Sequence, residues 1–361
     1  MTKHILLVAG YEYHHGRTNI ANICKRRANY LVHQNPSWQN NRAIKFTLFD
    51  VRFGRIDKGL IHNGTINWSL ENDSFEAIDS RTHYDSDRHF IQANTNVISI
   101  TDVYEYIQNI GIRNPNSILE FSILGHGWRG GPVLVNSYQR DAYQFTGSNA
   151  SQRDPWDKDG RKKDTNITNM SNAKWFNFKN AFANDSYIWI WGCAASHLYK
   201  KVIQKVIRDS NFREKSYGTQ LDSDIYHFSF TTSFANRYFA YDPLFFFRSQ
   251  NAQSITNRTF TRSLREVKDF LIRGLSHTYA AQMAYNTTIK VYAALPGTGS
   301  DYEQGATSSR CVMVVPTNSS IYGYSFNQIV RFFKTFTPMQ EDPERRGYAF
   351  YDPDVIKNWK R

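Results

Sequence analysis

The residues of this sequence best suited to chemistry are a histidine and a cysteine that each follow an apolar run. His126 comes after the run 117–124 and one glycine, and Cys193 comes after the run 187–191 and one glycine. A thiolate is the reactive form of cysteine, and a neighbouring imidazole can take the thiol proton at neutral pH. These residue types predict nucleophilic catalysis, with His126 as the base and Cys193 as the nucleophile.

Small residues around this pair are consistent with the same chemistry. Gly127 has no side chain, so its backbone N–H could approach a bound carbonyl and form an oxyanion hole with the N–H of Cys193. Gly192 and Ala194 leave room for a substrate beside the sulfur. A helix that begins just after Cys193 would direct its positive end toward the thiolate. Either motif alone is also typical of an inert buried cysteine or a simple turn, whereas the two together favour catalysis.

Short apolar runs alternate with amphipathic segments, which predicts an α/β fold built on a largely parallel sheet. We expect strands at residues 4–9, 43–51, 117–124, 187–191, 289–294 and 311–315. We expect helices at residues 18–33, 101–110, 175–183 and 262–285, and one more that follows the cysteine and reaches about residue 208. In a parallel sheet, ligands bind outside the carboxyl ends of the strands. Adjacent strands would therefore bring His126 and Cys193 into one crevice.

The polar stretches are predicted to be additions to a single domain at residues 1–315. One is an insertion at about 52–100, which includes a hairpin turn at residues 63–64. Another is a long loop at about 136–174. Residues 316–361 are expected to form a C-terminal extension that packs on the same domain.

The composition argues against several other classes of protein. A net charge of +12 attracts acidic partners, but the basic residues are dispersed and no nucleic-acid recognition motif is present. The three cysteines have no CxxC spacing, which disfavours a zinc site and a disulfide framework. No run approaches the roughly 20 apolar residues of a membrane span. We therefore expect a protein that binds neither nucleic acid nor a membrane.

The first residues run directly into a short apolar strand and lack the small-residue cleavage site of a signal peptide. We therefore expect a cytoplasmic location, or export by a route that leaves no classical signal peptide. The sequence contains no Gly-x-Ser-x-Gly elbow, which disfavours serine α/β-hydrolase chemistry. It contains no P-loop, so a nucleotide cofactor has no support from this motif.

The two motifs resemble those of the caspase-like (clan CD) cysteine peptidases, which include caspases, metacaspases, legumain, gingipains and bacterial self-processing toxin proteases. An apolar strand ending in His-Gly at 121–127 precedes a second strand ending in a small residue and Cys at 188–193. Residues 289–299 are also similar to the strand and loop that flank substrate in bacterial members. The resemblance extends over roughly residues 1–315.

This resemblance implies a caspase-like three-layer sandwich, with a mostly parallel central sheet and helices on both faces. It implies a cysteine endopeptidase in which His126 acts as general acid/base and Cys193 attacks the peptide carbonyl. The N–H groups of Gly127 and Cys193 would bind the oxyanion. The partner would be a protein or peptide substrate, no cofactor would be required, and the protein would act as a secreted effector, a toxin or a defence protease. Neither motif predicts an oligomeric state.

Four further residues are candidates for substrate binding. Arg17 follows strand one at the same sheet edge and could bind an acidic substrate residue, as a basic side chain near this position does in caspases. A solvated turn is the alternative for this segment. Trp128 comes directly after the His-Gly motif, and Ser300 and Asp301 follow a Pro-Gly-Thr-Gly loop and could line the cleft.

Asp157 and Asp159 lie in the long polar loop, in the order Asp-Lys-Asp-Gly. This is a fragment of a calcium-binding loop, but the later bidentate Glu is missing, so an EF-hand is not predicted. The alternatives are a looser calcium site, an acidic specificity pocket for Arg or Lys, a mobile lid or self-cleavage loop, and a plain exposed loop. No other metal site or cofactor is expected.

Two other functions fit the same residues. A different thiol hydrolase, of amidase or amidotransferase type, would also place its cysteine at a strand-to-helix turn, but its base usually follows the cysteine. The order of His126 before Cys193 favours the peptidase. The other alternative is a non-catalytic caspase-like module that binds a partner through its aromatic surface.

Overall fold

The centre of the molecule is a mixed β-sheet of nine strands. It is seen in a computed structural model that describes residues 2–14, 18–91, 94–137, 154, 156–165, 170–194, 196–247, 258–302, 313–314 and 323–359. The strands are β1 (Lys3–Ala9), β2 (Ile44–Asp50), β3 (Arg55–His62), β4 (Thr65–Asn72), β5 (Ile118–Leu124), β6 (His126–Trp128), β7 (Gly131–Val133), β8 (Phe182–Ile190), β9 (Ile225–Ser229), β10 (Thr259–Ser263), β11 (Lys290–Ala293), β12 (Asp301–Tyr302), β13 (Met313–Val314), β14 (Gln340–Glu341) and β15 (Ala349–Tyr351). The helices are α1 (Ile20–Gln34), α2 (Ser80–His83), α3 (Ile100–Arg113), α4 (Asn172–Asn180), α5 (His197–Arg208), α6 (Ser210–Arg213), α7 (Thr232–Tyr238), α8 (Pro243–Phe247), α9 (Leu264–Ser276), α10 (Tyr279–Thr287), α11 (Gly323–Phe336) and α12 (Pro353–Trp359).

The nine strands follow the order β14-β15-β11-β8-β5-β1-β2-β3-β4. The central strands β2, β1, β5, β8 and β11 are parallel. By contrast, β3 and β4 at one edge, and β15 and β14 at the other, run antiparallel to their neighbours. The fold is therefore α/β, as predicted, but the expectation of a mostly parallel sheet is wrong.

Short connections explain the antiparallel edges. The hairpin predicted at residues 63–64 is present between β3 and β4, and Asn63 and Gly64 have φ angles of 48° and 75°. A two-residue turn with positive φ at both positions can join only antiparallel strands, because a parallel crossover needs a dozen or more residues. Residues of the predicted insertion at about 52–100 thus extend the main sheet.

Helices cover both faces of the sheet, as contacts with β2 demonstrate. On one face, Nζ of Lys25 in α1 lies 5.4 Å from the ring centroid of Trp68 in β4. This Trp68 ring packs against Phe46 of β2. Tyr106 of α3 packs instead against Phe49, with ring centroids 5.2 Å apart. Because alternate residues of a strand point to opposite sides, α1 and α3 lie in different layers. Burial on both faces explains why the inner strands are continuous apolar runs.

The helix predicted at 262–285 is in fact two helices. The first, α9, ends at Ser276, and α10 begins after Thr278, whose hydroxyl accepts the N–H of Ala281 at 3.1 Å. Such an N-cap satisfies an N–H group that a new helix leaves open, so the chain turns here although the apolar pattern continues. Of the helices in the described part of the chain, none combines the length and apolar character needed to cross a membrane.

The C-terminal residues form one edge of the sheet, where β15 pairs with β11 and β14 pairs with β15. The carboxylate of Asp342 holds the turn between these strands by accepting the N–H groups of Glu344, Arg346 and Tyr348. The Tyr348 hydroxyl also donates to the carbonyl of Trp191 at 2.9 Å. The C-terminal segment therefore contacts the end of β8.

A buried ion pair joins α1 to the middle of the sheet. Arg27 is fully buried and donates to both carboxylate oxygens of Glu120 in β5, at 2.9 and 3.0 Å, and to Glu344 at 2.6 Å. Its guanidinium lies 5.1 and 5.0 Å from the ring centroids of Trp189 and Trp191. Bidentate geometry and full hydrogen bonding are what a buried ion pair needs to offset its desolvation.

Candidate active site

The strands that precede His126 and Cys193 are direct neighbours. Parallel strands β5 and β8 pair through Ile123 and Ile190, and the N–H of Trp191 donates to the carbonyl of Ile123 at 2.9 Å. Both strands then end at the same carboxyl edge of the sheet. His126 and Cys193 lie just beyond this last pairing, on adjoining segments.

Two glycines allow these segments to touch. A Cβ placed on Gly127 would lie 2.8 Å from the carbonyl oxygen and 3.2 Å from the nitrogen of Cys193. A Cβ placed on Gly192 would lie 2.9 Å from the carbonyl oxygen of His126. Real Cβ atoms essentially never lie 2.8 or 2.9 Å from a backbone oxygen, so both positions need glycine for the backbones of the two strand ends to meet as they do.

Cys193 is half-buried, and its sulfur lies against Ser300. The backbone N–H of Ser300 donates to Sγ at 3.2 Å, and Sγ lies 3.6 Å from the carbonyl oxygen of the same residue. Two backbone hydrogen bonds hold the loop in this position: Ala194 N–H to Thr298 at 3.2 Å and Gly297 N–H to Ala194 at 2.9 Å. Ser300, predicted as a cleft residue, is thus brought into direct contact with the thiol.

The helix expected just after Cys193 begins later than predicted. Helix α5 starts at His197, with Ser196 at its N-cap. The intervening residue Ala194 pairs instead with the loop after β11. The backbone N–H that donates a hydrogen bond to the sulfur belongs to Ser300 and not to the first turn of α5.

An acidic residue that the sequence analysis missed contacts the histidine. Nε2 of His126 lies 2.9 Å from Oε1 of Glu12, a side chain only 3% exposed. The same oxygen accepts the backbone N–H of His14 at 2.9 Å. Glu12 follows β1, which is parallel to β5 and ends at the same sheet edge. A glutamate just beyond the first apolar strand is the only signal in the sequence that could have pointed to it.

Tyr13 packs beside the imidazole, with its ring centroid 4.5 Å from that of His126. Burial raises the pKa of the Tyr13 hydroxyl well above its usual range. Negative charge at Asp159, Glu12 and Cys193 raises this pKa further. The phenol of Tyr13 therefore stays protonated. Its pKa responds to charge at Cys193, so the two side chains interact electrostatically.

The remaining predicted substrate contacts lie in different environments. Trp128 in β6 is 46% exposed, two positions beyond His126. Asp301 is exposed and lies in β12, which pairs with β13. Arg17 lies outside the described residues.

Asp157 and Asp159 are buried and bound to neighbouring protein groups. Asp159 accepts the N–H groups of Leu134, Val135 and Ser137 at 2.7, 2.9 and 2.7 Å. Asp157 pairs with Arg161 at 2.5 Å. These bonds fasten the segment after β7, which gives both carboxylates a structural role. Within the described ranges, no three His, Cys, Asp or Glu side chains are grouped to hold a metal ion.

The loop 136–174, for which a lid or self-cleavage segment was one alternative, is described only in part. Residues 138–153, 155 and 166–169 lie outside the described residues.

Residues 125–130 match the spacing Gly-x-Gly-x-x-Gly, which occurs in dinucleotide-binding proteins. That motif requires a helix directly after the glycines, so that the helix N-terminus can bind a pyrophosphate. Here β6 and β7 form an antiparallel hairpin in its place. The spacing is therefore no support for a nucleotide site.

Comparison with protein-family models, with curated proteins and with solved structures gave no match to this chain.

Proposed function

We propose that this chain is a cysteine peptidase of caspase-like type, with His126 as general acid/base and Cys193 as nucleophile. The observation that carries the proposal is the contact between two strand ends through Gly127 and Gly192. This contact supports a shared crevice for the imidazole and the thiol at the carboxyl edge of the sheet, where α/β proteins bind their ligands.

The first half of the reaction would form an acyl-enzyme. The thiol proton of Cys193 passes to His126, and the thiolate attacks the carbonyl carbon of the scissile peptide bond. The N–H groups of Gly127 and Cys193 would donate hydrogen bonds to the carbonyl oxygen as negative charge develops on it. When the intermediate collapses, the imidazolium gives its proton to the leaving amine and a thioester remains.

The second half of the reaction would restore the enzyme. A water molecule gives a proton to His126 as it attacks the thioester carbonyl. Collapse of this second intermediate releases the carboxylic acid, and the proton returns to the sulfur of Cys193. The exposed Trp128 and the loop ending at Ser300 lie beside the two reacting residues and are the proposed contacts for the peptide.

Hydrolysis of a peptide library, followed by mass spectrometry, tests this proposal. We expect wild-type protein to cleave peptides and both Cys193→Ala and His126→Ala to lose at least about 10³-fold in kcat/KM, because each removes one partner of a two-residue unit. Cys24→Ala is the matched control, since Cys24 is a buried cysteine of α1, and it should retain activity.

Three results would count against the proposal. Full hydrolysis by Cys193→Ala would exclude the thiol as nucleophile. Hydrolysis of simple amides without any peptide cleavage would favour the amidase alternative. A folded wild-type protein that hydrolyses neither would favour the non-catalytic module.

A further inference from the structure

We propose that the surface formed by Arg129, Arg237, Tyr238 and Tyr241 binds an acidic segment of the protein substrate, on the carboxyl side of the scissile bond. We call these four residues the tyrosine–arginine surface. The inference rests on the proposed peptidase function and adds a feature of its substrates. It is carried by the contact of Arg129 with Tyr241, whose ring centroid lies 4.9 Å from the guanidinium carbon.

The hairpin of β6 and β7 connects His126 to this surface. Strand β6 begins with His126 and ends with Trp128, and Arg129 follows in the turn. The exposed indole of Trp128 packs over Gly130, where an added Cβ would lie 2.5 Å from Cζ2 of the ring. An exposed aromatic surface therefore continues from the proposed catalytic histidine toward Tyr241.

The two arginines each lie against a tyrosine, and the tyrosines are neighbours. The guanidinium carbon of Arg237 lies 5.4 Å from the ring centroid of Tyr238, and the ring centroids of Tyr238 and Tyr241 are 6.2 Å apart. Tyr241 is 61% exposed, and Arg237 is exposed as well. A guanidinium that stacks on an aromatic face can still direct N–H groups from its edge to a carboxylate.

The charge of this surface favours an acidic partner. In the part of the chain that the structure describes, neither Arg129 nor Arg237 forms an ion pair with a carboxylate. Asp242, which follows Tyr241, pairs instead with Arg273 through two hydrogen bonds of 3.0 Å. The positive charge of the two arginines is therefore available to a ligand, and the net charge of +12 attracts acidic segments to the molecule.

The chemistry of His126 determines which half of the substrate lies here. In the proposed reaction His126 gives its proton to the leaving amine, so the residues after the scissile bond begin at the imidazole. Arg129 lies three positions beyond His126 along an extended segment, a length that about three residues of extended peptide also span. Acidic residues are therefore expected from about the third residue after the scissile bond onward.

Cleavage of matched peptides tests the inference. The peptides share one core sequence and carry glutamates after the scissile bond, before it, or at neither place. We expect glutamates after the bond to raise kcat/KM about fivefold over the neutral peptide at low salt, because exposed ion pairs are individually weak, and we expect added salt to reduce this gain. The gain should decrease in Arg237→Gln and disappear when Arg129→Gln is added. Arg26→Gln, on the exposed side of α1, is the matched control and should keep the gain.

Cleavage that ignores these glutamates, or that gains equally from glutamates before the bond, would overturn the inference and leave the peptidase proposal intact. A gain that persists in both Arg237→Gln and the double variant would overturn it as well. Fluorescence anisotropy of the acidic and neutral peptides with Cys193→Ala protein separates the two proposals, because it requires no cleavage. Salt-sensitive binding of the acidic peptide that weakens with Arg237→Gln, in a chain that cleaves no peptide, would support the surface and locate the failure in the peptidase reaction.

Discussion

At the scale of single residues, the site depends on glycines as much as on reactive groups. Gly127 and Gly192 lie where a Cβ would meet backbone atoms of the opposite strand end at 2.8 to 3.2 Å. Side chains at these positions would push the two segments apart and separate His126 from Cys193. The two strand ends thus meet through direct backbone contact.

His4, at the other end of β1, provides a pH-dependent prediction. Burial, followed by the charges of Lys45 and Lys58, lowers the pKa of His4 from 6.5 to about 4. Its Nε2 accepts a hydrogen bond from Asn114 at 3.1 Å, which requires the neutral ring. As the pH falls, His4 is protonated in the unfolded chain before it is protonated in the folded protein. The contribution of neutral His4 to stability is therefore fully present above pH 6.5 and is lost as the pH falls toward about 4.

The loss should amount to at most about 1.4 kcal/mol per pH unit in that interval. His4→Gln keeps an acceptor for Asn114 without titrating, so its free energy of unfolding should decline less between pH 7 and pH 4.5. Urea denaturation at the two pH values measures this difference. Equal declines in wild-type protein and the variant would contradict the assignment to His4.

At the scale of elements, strands buried on both faces could be predicted, whereas the short edge strands β14 and β15 could not. The run 187–191 is entirely apolar, and residues 188–191 are buried although they point alternately to the two faces of the sheet; such runs are visible without a structure. The edge strands β14 and β15 span only Gln340–Glu341 and Ala349–Tyr351, too short to leave a pattern. The break between α9 and α10 was missed because apolar periodicity continues across the cap at Thr278.

The attachment of α1 to the sheet depends on Arg27. We expect Arg27→Met to lower the free energy of unfolding by about 3–5 kcal/mol, because it leaves Glu120 buried without its ion-pair partner. Adding Glu120→Gln should recover part of this loss, since the unpaired charge is then removed. Urea denaturation measures both variants against Arg26→Met, which alters an exposed neighbour on the same helix. Equal stability of Arg27→Met and Arg26→Met would rule out this role for the network.

At the scale of the whole molecule, the site is assembled from chain segments that are far apart in sequence. Residues 12, 126, 193 and 300 meet at one sheet edge, because β1, β5, β8 and β11 are parallel. His126 and Cys193 could be found because each residue type follows an apolar strand. Glu12 could not be paired with His126 in advance, since the two are 114 positions apart. Asp157 and Asp159 were candidates for binding because they lie as Asp-Lys-Asp-Gly in a long polar loop. Their burial depends on tertiary contacts that no local pattern reveals.

The C-terminal segment should influence the site through Tyr348. Its hydroxyl donates to the carbonyl of Trp191, two residues before Cys193. We expect Tyr348→Phe to lower the free energy of unfolding by about 1–3 kcal/mol, because it leaves a buried carbonyl without this donor, and to lower kcat/KM as well. Tyr285→Phe, at a side chain 38% exposed, is the control. A variant as stable and as active as this control would show that the contact is dispensable.

The central claim is that the thiol of Cys193 and the imidazole of His126 form one reactive unit, and the rate of iodoacetamide modification tests it most directly. Mass spectrometry can follow Cys193 and Cys24 in the same sample, for wild-type protein and for His126→Ala. The account predicts that Cys193 reacts at least about tenfold faster than Cys24 and slows markedly when His126 is removed, because the imidazole supports the thiolate. A Cys193 that reacts no faster than Cys24, or equally fast without His126, would contradict it.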